Sequence, residues 1–154
     1  MTVGERLIAY WKDQPIGVRP PVDGGSLRDF ERRYGVTLPD DVRDYYEHAD
    51  GFEQIFDSEN ARYYQDKKGF NFYPLSKVVP VDQVQDGNFS FPRSNHYYVF
   101  ADYLDWCWGY AFLLGSAAST VVLVGEPDKP VLVAETFEKF VDLYITDDKA
   151  IYGG

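Results

Sequence analysis

Residues 27–52, LRDFERRYGVTLPDDVRDYYEHADGF, constrain the fold of this chain more than any other stretch. Ser26 is a good N-cap, and Asp29 three residues on makes a short capping box. Leu27, Phe30 and Tyr34 fall at i, i+3, i+7 and share one helical face. Gly35 follows, where a helix most often needs a left-handed residue to stop. Pro39 is tolerated in a helix only in its first turn, so a second helix starts there. Asp40 and Asp41 sit at its positive end, where negative charge is favoured. Val42, Tyr45, Tyr46 and Ala49 repeat at i, i+3, i+4, i+7 and are expected to face the core. Gly51 is expected to end this helix as Gly35 ends the first.

The remaining elements follow from periodicity. Val3, Leu7, Ile8 and Trp11 predict a first helix. Residues 15–25, which carry Pro15, Pro20, Pro21, Gly24 and Gly25, predict a loop. Edge strands are expected at residues 52–56 and 61–65, and a better strand at residues 70–73. Pro80 and the polar run 82–95, which includes the turn signal Gly87-Asn88, suggest a long mobile segment. Residues 96–101 and 108–114 read as paired central strands around a turn at 102–105. Residues 120–124 and 131–134 form a hairpin across Gly125-Glu126-Pro127-Asp128-Lys129. Phe137, Phe140, Val141 and Tyr144 share the face of a last helix. Helices come early and late, and strands fall in the middle. The expected class is α+β, one domain over residues 1–154, with a central, largely antiparallel sheet, N-terminal helices and a closing C-terminal helix.

Charge narrows the function. The formal net charge is −10, from 25 acids against 15 bases. That argues against binding nucleic acid or an anionic membrane and favours cationic partners or plain solubility. No apolar run is long enough to span a bilayer, and the first residues lack the pattern of a signal peptide. A reducing cytoplasm is the expected location. Cys107, the only cysteine, lies between Trp106 and Trp108 and is expected to be a buried, inert thiol.

An enzyme is not expected. His48 and His96 are the only histidines, and no catalytic, metal-binding or phosphate-loop motif appears. His48 is read as satisfied or exposed. Asp102 and Asp105 resemble a carboxylate pair, but a polar turn accounts for them. Neither a cofactor nor a metal is expected.

Several motifs together resemble the SUKH superfamily, the Smi–Knr type of domain. They are Phe30-Glu31, Tyr34-Gly35-Val36, Leu38-Pro39-Asp40-Asp41 and Asp50-Gly51-Phe52, then Ala134-Glu135-Thr136-Phe137-Glu138-Lys139-Phe140-Val141-Asp142-Leu143-Tyr144 near the C-terminus. A weaker match joins Val99-Phe100-Ala101-Asp102 to Gly109-Tyr110-Ala111-Phe112. One departure is Asp50, where the superfamily commonly has Asn. The resemblance implies a cytoplasmic immunity protein that binds and blocks a cognate toxin domain, often a basic nuclease. The alternative is a regulatory or scaffold module that binds a cellular protein.

The candidate contact residues come from charge and rings. Between Asp40 and Asp66 nine acids stand against Arg43 and Arg62, with aromatic residues interleaved. Helix capping and solubility explain the early acids but not the later ones. The expected partner-binding set is Glu53, Asp57, Glu59, Tyr63, Tyr64, Asp66, Asp102, Asp105 and Trp106. Acids would speed association with a basic protein and rings would slow dissociation. Oligomeric state is not legible in the sequence. A third reading places Trp106, Trp108 and Tyr110 around a small-ligand pocket, although a packed core explains them more simply.

Overall fold

The computed structural model describes residues 1–64, 66–84 and 89–153, and only the backbone of Phe56, Arg62, Tyr63 and Tyr64. Gln65 and Gly87-Asn88 lie outside the described residues. Four helices frame the fold: α1 Val3–Trp11, α2 Gly24–Tyr34, α3 Asp40–His48 and α4 Phe137–Thr146. The strands are β1 Ile16–Val18, β2 Phe52–Asp57, β3 Arg62–Tyr64, β4 Phe70–Phe72, β5 Val79–Pro80, β6 Tyr97–Tyr103, β7 Trp108–Leu113, β8 Val121–Glu126 and β9 Lys129–Ala134. All strand pairings among the described residues are antiparallel. A three-stranded sheet runs β1-β2-β3, and a six-stranded sheet runs β4-β6-β7-β8-β9 with β5 on β6. The α+β class is as the sequence predicts.

The helices bury aromatic faces against one side of the larger sheet. Phe100 of β6 stacks on Phe112 of β7 at 4.7 Å and meets Phe137 and Phe140 of α4 edge-on at 5.4 and 5.3 Å. Phe72 lies 5.1 Å from Trp11 of α1 and 5.0 Å from Tyr144 of α4. Such pairs add about 0.5–1.5 kcal/mol each beyond their buried area. Val42, Tyr45, Tyr46 and Ala49 are all fully buried, as their spacing predicts. The opposite side of the sheet carries rows set by register, Val79-Val99-Ala111-Val122 and Asn71-Asp102-Gly109-Val124. The chain after β4 crosses this side, with Val78, Val81 and Phe91 buried.

Four local expectations are corrected. Asp23, not Ser26, caps α2; its carboxylate accepts the Ser26 amide at 2.7 Å, so the helix starts three residues earlier than the Ser26 cap would place it. Residues 15–25 are not all loop, because Ile16–Val18 pairs with β2. Helix α3 ends at His48 with an extended Ala49, so Gly51 does not cap it. The run 82–95 is held in its described parts by a short helical turn at Val81–Gln83, by buried Phe91 and by another turn at Ser94–His96.

Candidate partner-binding surface

The motif residues act first as joints. Glu31 of α2 accepts the Leu38 amide at 2.8 Å and the Arg43 guanidinium at 2.6 Å, so one carboxylate fixes the connector and α3. Burial opposes its charge, but these two donors hold its carboxyl below the usual range. Asp41 accepts three bonds: its own helix from Val42 N–H at 2.9 Å, the Ser119 hydroxyl at 2.7 Å and the Glu138 amide at 2.9 Å. It therefore ties the start of α3 to the start of α4. Asp50 accepts the Leu75 amide at 2.6 Å. Asn would offer the same oxygen, so this departure from the superfamily pattern keeps the bond. Gly51 has φ +68°, and a Cβ there would lie 2.4 Å from the Phe72 carbonyl oxygen. It is the crossing point of β2 and β4. His48 is satisfied, with Nδ1 2.7 Å from the Asp44 carbonyl oxygen.

Two predicted contact acids are internal. Asp66 is 4% exposed. It accepts the Phe70 amide at 2.8 Å and the Lys68 amide at 3.0 Å, and it takes the Tyr144 hydroxyl. Burial raises its carboxyl above the ordinary value despite those donors. Asp102 is also 4% exposed. It does not lie in a turn; it sits within β6 and accepts the Tyr73 hydroxyl at 2.5 Å. Burial raises this carboxyl too, with Tyr73 and the nearby Lys77 charge pulling it back. Neither residue offers a surface to a partner, and Asp102 and Asp105 form no exposed carboxylate pair.

The remaining candidates stand on two hairpins. In β2, Glu53 and Ile55 are exposed, and Glu53 lies 3.7 Å from Arg19. Asp57 accepts the Glu59 and Asn60 amides at 2.9 and 3.3 Å, so it builds the turn that presents exposed Glu59. Capping therefore does explain Asp57, contrary to the sequence expectation. The side chains of Tyr63 and Tyr64 lie outside the described residues; their backbone pairs with Phe56 and Ile55.

The second hairpin tip joins β6 to β7. Leu104, Asp105, Trp106 and Cys107 are all exposed there. Cys107 is thus not a buried thiol. The core side of β6 and β7 is already filled by larger rings, so the tip projects past it. Trp106 and Trp108 line one groove, but Tyr110 does not. Tyr110 is fully buried and its hydroxyl donates to the Ile151 carbonyl at 2.6 Å. Trp108 stacks on Tyr103 at 4.8 Å. Trp106 folds over the opposite side of the sheet, 6.4 Å from Phe89. There it covers a groove of about 850 Å³ that Lys77, Val79, Val84, Val99 and Val124 also line. Exposed Leu104 and Ile55 were missed because nothing in apolar sequence marks exposure.

Among the described residues no group of three or more His, Cys, Asp or Glu is placed to hold a metal ion. No described helix is long and apolar enough to cross a membrane.

An acidic α+β domain that presents exposed acids on two hairpins and the exposed Trp106 indole on one, over an aromatic core, fits a protein-binding domain. The chain belongs to the SMI1/KNR4 family (SUKH-1), whose profile matches residues 21–143. The match covers both motif helices, strands β2 to β9 and most of α4. The family fits an immunity-type or protein-binding domain. No curated protein matches the chain.

Proposed function

We propose that this protein is a cytoplasmic immunity protein that binds and neutralises a cognate toxin domain, performing no chemistry of its own. Family membership over residues 21–143 carries the reading. Net charge −10 supports a basic partner, such as a nuclease domain whose phosphate-binding surface an acidic inhibitor can occupy. Glu53, Glu59, Asp105 and Trp106 are its candidate contacts, with Ile55 and Leu104 beside them. Asp57 serves by shaping the Glu59 turn.

The test is to mix the purified protein with the toxin domain encoded beside it and to express the two together in cells. A complex below micromolar concentration and rescue of growth are expected. The absence of both would end the immunity reading, and a housekeeping gene neighbourhood would favour a regulatory module.

A further inference from the structure

We propose that the groove beneath Trp106 anchors an arginine side chain of the partner; this rests on the reading of the protein as a binder of a basic protein.

The first observation is the shape of the tip. Leu104, Asp105 and Trp106 have φ values of +48°, +51° and +70°, three left-handed residues in a row, none of them glycine. Each costs on the order of 1 kcal/mol. A hairpin has cheaper ways to turn. This one closes with Cys107 N–H on the Tyr103 carbonyl at 2.9 Å, and the result is that the indole folds back over the sheet.

The second is the seat of the ring. A Cβ at Gly109 would lie 2.6, 2.8 and 3.3 Å from three carbons of the Trp106 ring. Only glycine leaves that notch open, so the indole has a fixed place. It forms one wall of the groove, with Phe89 near it and valines around the floor.

The third is charge. Asp102 neighbours Gly109 in register, directly under the ring. Its Oδ2 accepts Tyr73, while its buried Oδ1 has no hydrogen-bond partner. Asp105 lines the groove as well. The one cation lining it among the described residues, Lys77, stands over the Tyr73 ring at 4.1 Å. Two acids, Asp105 on the wall and Asp102 behind it, stand near one ammonium at this end of the groove. Oδ1 is shielded from solvent, so it acts through its field.

These features ask for a flat cation on an apolar stem. Arginine has that form: its methylenes suit the valines, its plane stacks on indole, and its charge meets Asp105 on the groove wall. Lysine offers the charge without the plane. The net charge of the whole chain draws such a partner in.

The probe is N-acetyl-arginine-N-methylamide, with the citrulline analogue as its neutral isostere, followed by amide and indole NMR shifts. A saturable millimolar shift at the Trp106 indole N–H and at Gly109 is expected, weaker by about tenfold with citrulline. Trp106→Leu should weaken the Gly109 response by a similar factor. Lys77→Gln, an exposed change, should strengthen it. Equal shifts with both probes, or shifts scattered over the acidic surface, would overturn the proposal. The two readings fail separately. If Trp106→Leu holds the neighbouring toxin as tightly as the original chain, the groove is refuted and immunity survives. If arginine saturates the groove but no toxin complex forms, the reverse holds.

Discussion

Gly35 and Gly51 both have positive φ, yet they answer to different forces. At Gly35 nothing lies within 4 Å of an added Cβ, so Gly35→Ala should cost only the left-handed strain, about 1 kcal/mol. At Gly51 the carbonyl oxygens of Phe72 and Tyr73 stand in the way, and both are backbone. Gly51→Ala should cost about 2–4 kcal/mol in urea unfolding. Equal losses would show that the β2–β4 crossing yields. Asp102 carries a pH prediction. Its carboxyl is raised by burial, so its contribution is fully present below the unfolded value and is lost as pH rises through the folded one. Asp102→Asn should therefore gain stability relative to the parent as pH rises above about 4, the ordinary carboxyl value. A difference that stays flat would remove burial of the charge as the cause. Gly35 was legible from its neighbours, whereas the role of Gly51 was not, because the carbonyls that crowd it belong to a distant strand. The burial of Asp66 and Asp102 was not, because an acid in a sequence reads as surface.

Asp41 shows how elements are coupled. Its bonds to Ser119 and to the Glu138 amide connect α3, the β7–β8 loop and α4, which are far apart in the chain. Ser119 in turn accepts the Phe137 amide at 2.9 Å. Asp41→Ala should destabilise by about 2 kcal/mol and Ser119→Ala by about 1 kcal/mol. Their double mutant should cost less than the sum, with coupling on the order of 0.5–2 kcal/mol in thermal or urea unfolding. Simple additivity would mean that the helix ends are satisfied independently. The helices were readable in advance because 3.6-residue spacing, caps and breakers are local. Strand facing was less so. The register shifts between Val99 and Ala101, so Phe100 is extra to the pairing. Plain alternation would set Asp102 on the same side as Phe100. The bulge turns it to the side of Val99, under Trp106.

Across the whole molecule the rings and the charges divide the work. The rings from α1, α3, α4 and the larger sheet fill one interior, and they hold the hairpin tips on a firm base. The acids remain outside in excess, and their field extends only about 10 Å at 0.1 M salt. Association with a basic partner should therefore slow by roughly tenfold between low and physiological ionic strength, with dissociation changing much less. Stopped-flow mixing at several salt concentrations reads this directly. A salt-independent association rate would remove charge mimicry from the mechanism and leave neutralisation by other contacts standing.

The sequence by itself determined the family motifs, the four helices, most strand positions, the single-domain α+β class and the sign of the surface charge. All of these follow from spacing, turn chemistry and counting, which are properties of neighbours along the chain. Only the tertiary structure decided which acids face outward, that Cys107 is exposed, that Asp57 shapes a turn, and that Trp106 leaves the row of Trp108 and Tyr110. Each of those depends on what a distant segment places beside the residue. The Phe100 bulge, the Gly109 notch and the chain crossing the outer side of the sheet join residues that no local pattern links.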